Sequence, residues 1–205
     1  PDGLAVENKV LSMGAYGPDM DFYALKGAVE AVLREIRAED VRFEAPAVPN
    51  PSYHPGRSAE VYAGGRRIGV LGQIHPLVAK NYGVDAQFYC AELDFSALLA
   101  AKGPDAEYVP LPKFPSVTRD IAVVCDSAVT VAALEACINR GARGLLKGVE
   151  LFDIYTGAPI PEGKKSVAFN LTLRSDDRSL TAAEADEDVK SVLELLEKEL
   201  GAVLR

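Results

Sequence analysis

The 205 residues predict an α+β protein in two parts: an antiparallel sheet with helices packed on it, then a domain of order β-α-β-β-α-β. Two observations lead there. Runs with alternating apolar residues are interleaved with runs whose apolar residues recur every three or four positions. Between the halves lies "AKGPDAEYVPLPKFPSVT" (101–118), with Pro104, Pro110, Pro112 and Pro115. Proline removes amide donors and holds the preceding residue extended, so this stretch reads as a seam. The expected domains are 1–104 and 105–205.

In the first half, "DFYALKGAVEAVLREI" places Leu25, Val29, Val32, Leu33 and Ile36 at helical spacing, with Asp21 as N-cap. "VRFEA" and "AEVYAGGRRIGVLGQI" read as strands, and Gly64-Gly65 makes a two-residue hairpin turn in the second. "HPLVAKNY" is a short helix, "QFYCAELDF" a strand and "DFSALLAA" a helix capped by Asp94. Residues 1–20, with "NKVLSMGAYG", read as the tail of something already under way. No Met precedes Pro1, so the chain reads as part of a longer one.

The second half runs in a clear order. "RDIAVVC" is a strand, and "TVAALEACINR" a helix capped by Thr130, with Val131, Leu134 and Ile138 on one stripe. "VELFDIY" and "KSVAFNLTL" are strands. "TAAEADEDVKSVLELLEKEL" opens with a capping box from Thr181 to Glu184, and its stripe is Val189, Val192, Leu193, Leu196 and Leu200. "GAVLR" closes as a short strand. This is the split βαβ, or ferredoxin-like, unit: four antiparallel strands with both helices on one face.

Alternation then sorts the side chains. Ile121, Val123 and Cys125 share a face, as do Phe152 and Ile154, and Val167, Phe169, Leu171 and Leu173. These apolar sets are expected under the helices. The opposite face presents Ala122, Asp153, Tyr155, Ser166, Ala168, Asn170 and Thr172. Such a face either meets water, as one-sided sheets commonly do, or accepts a splayed base that stacks on the tyrosine and is read by its polar neighbours.

Composition narrows the function classes. No apolar run approaches the about 20 residues that a membrane span needs, and the chain reads as soluble and cytoplasmic. Cys90, Cys125 and Cys137 are few and scattered, and read as buried free thiols. The formal net charge of -8 argues against a generic polyanion binder. However, Lys113, Arg119, Arg140, Arg143, Lys147, Lys164, Lys165, Arg174 and Arg178 make one end of the second half locally basic. Local potential decides where a polyanion docks. Catalytic patterns are missing: His54 and His75 each sit beside a proline in a loop-like context, without partners at metal or triad spacing, and there is no GxxxxGK[ST] phosphate loop. The carboxylates of "EADEDV" lie in the first turns of a helix, where they favour its dipole.

"LPKFPSVTRDIAVV", "LFDIYTG", "EGKKSVAFNLTL", "RSLTAAE" and "GAVLR" resemble, in order and spacing, the C-terminal anticodon-binding domain of bacterial phenylalanyl-tRNA synthetase beta subunits. "DFYALKGAVEAVL", "HPGRSAEVY" and "IGVLGQIHPLV" resemble the later part of the same subunit's non-catalytic, class II synthetase-like domain. The resemblance implies that the chain is a C-terminal fragment without catalysis of its own. It implies that the second half recognises the anticodon loop of phenylalanine tRNA, and that the first half is scaffold for the catalytic alpha subunit of an (αβ)2 enzyme. ATP and Mg2+ serve the full enzyme, with no cofactor in this fragment.

The resemblance also implies residue roles. Tyr155 of "FDxY" stacks on an anticodon base, Ser166 of "KKS" contacts the first anticodon base, and Ala122 of "RDIA" lines the same pocket, with Asp153 as neighbour. Arg119, Lys164, Lys165, Arg174 and Arg178 are phosphate candidates, and Arg119 has Asp120 or Asp153 as alternative partners. A second reading is an amino-acid-sensing regulatory module of the same fold. That class binds ligands at the turn after the first strand, where glycine lets the backbone approach; here the turn is "CDSAVT", without glycine.

Overall fold

The computed structural model of the protein describes residues 3, 5 and 7–205; Pro1 lies outside them. The chain divides into two compact units, Pro1–Glu107 and Tyr108–Arg205.

The first unit contains β1 (Val10–Tyr16), α1 (Phe22–Glu35), β2 (Arg42–Glu44), β3 (Tyr53–Ala63), β4 (Arg66–Ile74), α2 (Pro76–Asn81), β5 (Phe88–Asp94) and α3 (Phe95–Ala100). Its sheet has the order β1-β5-β4-β3-β2, with every pair antiparallel. Leu25, Val29 and Leu33 of α1 and Leu98 of α3 pack with Val61, Ala63, Ile68, Leu71, Ala91 and Leu93 as one core. Burying a side chain of this size contributes roughly 1.5–3 kcal/mol. Asp21 and Asp94 accept backbone N–H groups at the starts of α1 and α3, as the sequence predicts. Gly64 and Gly65 both have positive φ, 56° and 75°, which the β3–β4 hairpin turn requires.

The sequence pattern hides two features of this sheet. Val10–Tyr16 is an edge strand, paired with β5 from Val10↔Asp94 to Tyr16↔Phe88. Ser12, Gly14 and Ala15 dilute its alternation, so the sequence hides it. His54 lies within β3, where the register with β4 shifts; its Nδ1 accepts the Gly56 N–H at 3.1 Å.

The second unit contains β6 (Val117–Asp126), α4 (Val131–Gly141), β7 (Leu146–Tyr155), β8 (Lys164–Leu173), α5 (Ala182–Leu200) and β9 (Val203–Leu204). Its antiparallel sheet has the order β7-β8-β6-β9. Thr130 caps α4, and Thr181 with Glu184 forms the expected capping box on α5. Leu134, Cys137 and Ile138 from α4 and Val192 and Leu196 from α5 close over Ile121, Val123, Cys125, Val167, Phe169 and Leu171. Burial pushes the Cys125 and Cys137 thiols above the usual range. Cys90 in β5 of the first unit is only half-buried, because it lies across from Gly14 and Gly72, on the side of that unit's sheet away from α1 and α3. Asp188 of α5 is 2% exposed, and its Oδ1 accepts the Arg143 N–H at 2.7 Å. That bond ties the loop before β7 to α5.

Candidate nucleic-acid interface

Residues directly opposite in an antiparallel pair share a face, so the strand register assigns both faces of the second sheet. Ala122 opposes Ala168, and Ala168 opposes Asp153. Ser166 lies between Val124 and Tyr155, and Asn170 between Asp120 and Glu150. All of these alternate with the helix-covered set of Val167, Phe169 and Leu171. The face away from the helices therefore carries Ala122, Asp153, Tyr155 and Ser166 together, from three strands.

A bulge preserves this arrangement on β7. The register shifts between Leu151 and Asp153, so Phe152 is an extra residue on the edge strand. Downstream of it Asp153 and Tyr155 stay on the open face; upstream, Val149 and Leu151 turn toward the helix side, opposite Leu171 and Phe169. The expected burial of Phe152 and Ile154 under the helices is not met: they are 57% and 48% exposed. The bulge displaces Phe152, and on this edge strand the core takes in Leu146 and Val149 instead.

The Tyr155 ring is held in place. The Tyr155 hydroxyl donates to the Ala158 carbonyl at 2.8 Å, and the residue is 40% exposed. Gly157 has φ of 144°, and a Cβ there would come within 3.2 Å of the Tyr155 Oη. Glycine is thus needed both for the turn and for the ring. Ala168 is buried and Ala122 half-buried, so the floor beside the ring is low. Ser166 is 4% exposed, and among the described residues its hydroxyl forms no hydrogen bond. Asn170 Nδ2 donates to Asp120 Oδ1 at 2.7 Å farther along the face.

The five phosphate candidates separate. Lys164 is exposed and opposes Asp126 on the open face, near Ser166. Lys165 shares the helix side with Cys125 and donates to the Ser127 carbonyl at 3.1 Å. Arg119 lies on the helix side too; it pairs with Asp186 of α5 at 2.8 Å, not with Asp120 or Asp153. Arg174 Nε lies 3.6 Å from Asp176 Oδ1. Arg178 donates through both terminal nitrogens to Glu184. The Arg178 guanidinium, helped by the Thr181 backbone and hydroxyl, pulls the Glu184 carboxyl down to about 2. These arginines serve the end of β8 and the start of α5.

Arg205 is the residue the sequence reading missed. Its backbone N–H donates to the Ala122 carbonyl at 2.8 Å, just beyond β9. Its guanidinium carbon then stands 5.9 Å from the centroid of the Tyr155 ring, a cation–π distance. β9 and β7 are opposite edges of the sheet, so the two side chains meet across its face. The signal available in advance was "GAVLR" as a closing strand, whose pairing partner decides where an arginine after it can reach.

Residues 112–205 match the family described as ferredoxin-fold anticodon binding domain, and residues 1–95 match the phenylalanyl tRNA synthetase beta chain CLM domain. The beta subunit of phenylalanine–tRNA ligase from Symbiobacterium thermophilum is 43% identical over 205 residues, 99% of this chain and 23% of the relative. That of Clostridium tetani is 39% identical over 202 residues, 98% of the chain and 25% of the relative. That of Moorella thermoacetica is 42% identical over 189 residues, 91% of the chain and 23% of the relative. The chain thus spans about a quarter of the length of the curated relatives it matches. It belongs to the family of phenylalanine–tRNA ligase beta subunits, with a CLM-type first half and a ferredoxin-fold anticodon-binding second half.

Proposed function

We propose that the open face of the second sheet holds the anticodon loop of phenylalanine tRNA, with one base stacked on Tyr155. The observation that carries this reading is the convergence of Ala122, Asp153, Tyr155 and Ser166, from three strands, on a face that no helix of the unit covers. Stacking on the fixed ring supplies roughly 1–3 kcal/mol per base. The Ser166 hydroxyl offers a donor and an acceptor, and the Asp153 carboxylate accepts from the N–H groups of a base edge. Lys164, on the same face, is the first choice for a backbone phosphate. Arg119, Lys165, Arg174 and Arg178 have protein partners and stand second.

The chain acts in this reading as part of an ATP-dependent phenylalanine–tRNA ligase, in which the alpha subunit carries catalysis with ATP and Mg2+. The first unit is scaffold for that subunit in an (αβ)2 assembly, placed in the cytoplasm. Exposed Val10, Tyr16 and Tyr23 support it as a contact surface. The test is binding of cognate and anticodon-swapped tRNA to the wild-type chain and to Tyr155→Ala. The cognate tRNA alone loses about 1–3 kcal/mol. Equal affinities for all combinations would remove the platform from the account.

A further inference from the structure

We infer that Arg205 is a base-contacting residue of this interface: its guanidinium donates to the acceptor edge of the base that stacks on Tyr155. The inference rests on the open-face reading above and extends it to the residue that follows the fourth strand. Asp153, Ala168 and Ala122 form one row across the sheet, and the Arg205 N–H continues it by binding the Ala122 carbonyl. With neighbouring strands about 4.8 Å apart, the row begins with an acceptor carboxylate, runs over two small side chains and ends with a donor fork. The guanidinium leans over this low floor to within 5.9 Å of the Tyr155 ring centroid. Among the described residues no carboxylate pairs with it. Arg119, Arg140, Arg143 and Arg178, in contrast, are all bound to acids.

Position decides the kind of contact. A phosphate-binding cation works from the rim of a face, where the backbone runs. Arg205 reaches inward to the ring on which the base must lie. A planar fork of N–H donors beside that ring matches paired acceptors on a base edge, and lysine lacks that planar geometry. In the free protein the guanidinium rests near the ring. When a base arrives, the cation gives up that contact and takes the base edge in its place. The backbone hydrogen bond to Ala122 involves no side-chain atom, so changing the side chain leaves β9 attached.

The experiment uses the whole 205-residue chain, wild type and with Arg205→Lys, Arg205→Gln or Tyr155→Ala. Each is titrated with the phenylalanine-tRNA anticodon stem-loop, and with three loops in which one anticodon nucleotide is abasic. Thermal melts of the variants check the fold. The expected result is that Arg205→Lys and Arg205→Gln each weaken the cognate loop about tenfold. Neither weakens the one abasic loop on which Tyr155→Ala is also silent, and the salt dependence of the Lys variant equals that of wild type. Equal weakening on all four loops by Arg205→Gln, with the salt slope reduced by about one, makes Arg205 a phosphate contact and overturns the inference. So does wild-type affinity in both Arg205 variants while Tyr155→Ala still discriminates. If wild type itself binds all four loops equally, the open-face reading fails, and this inference with it.

Discussion

The two faces of the second sheet are made by the same strands, yet they spend their charged residues in opposite ways. On the helix side Arg119 is closed by Asp186 and Lys165 by a backbone carbonyl. The interior between them is fully buried around Phe169, Leu171 and Val192. On the open side Asp153, Lys164 and Arg205 form no ion pair among the described residues, and a tyrosine ring lies beside alanines. Ion pairs on the helix side organise the fold. Unpaired groups on the open side cost little in water and remain available to a guest. The difference teaches that the number of basic residues in this half does not tell which of them are uncommitted, and that their partners do; on the proposed reading, the uncommitted ones meet the RNA.

The largest effect that could break this contrast is on the helix side. Phe169→Ala should destabilise the second unit by about 3–5 kcal/mol, read by denaturant unfolding. RNA affinity should fall only in proportion to the unfolded fraction. On the open side Tyr155→Ala should do the reverse. Its unfolding free energy should stay within about 1 kcal/mol of wild type, while cognate RNA binding weakens by about 1–3 kcal/mol. A Tyr155→Ala protein that unfolds as readily as Phe169→Ala would erase the distinction between the faces.

How much of this could be read from the chain depends on range. The N-caps Asp21, Asp94 and Thr130, the Thr181–Glu184 box and the Gly64-Gly65 turn are local, and each stands where the pattern predicts. The alternation of β8 fixed Ser166, and the same rule put Tyr155 with it. What alternation cannot show is a bulge, because one inserted residue reverses the faces upstream of it. Alternation alone therefore puts Phe152 in the core and leaves Val149 and Leu151 out of it. Arg205 escaped for a different reason. Its role depends on β9 pairing with β6, a contact made by chain segments some eighty residues apart.

Smaller effects sharpen the contrast. Lys164→Ala should lower the slope of log affinity against log salt by about one, measured by fluorescence anisotropy. Arg178→Ala should leave that slope as in wild type, since its charge is committed to Glu184. The smallest effect is on pH dependence. The folded Glu184 carboxyl titrates near 2 instead of its ordinary 4.5. Its stabilisation is therefore fully present above pH 4.5 and lost as pH falls through about 2. Denaturation midpoints of wild type and Glu184→Gln should draw together over that window and run parallel above it.

The most direct measurement is a backbone amide NMR titration of the 205-residue chain with the phenylalanine-tRNA anticodon stem-loop. The account predicts shifts concentrated at Ala122, Asp153, Tyr155, Ser166 and Arg205, with the outward surfaces of α4 and α5 silent. Shifts centred on α4 and α5, with the strand residues unmoved, would contradict it.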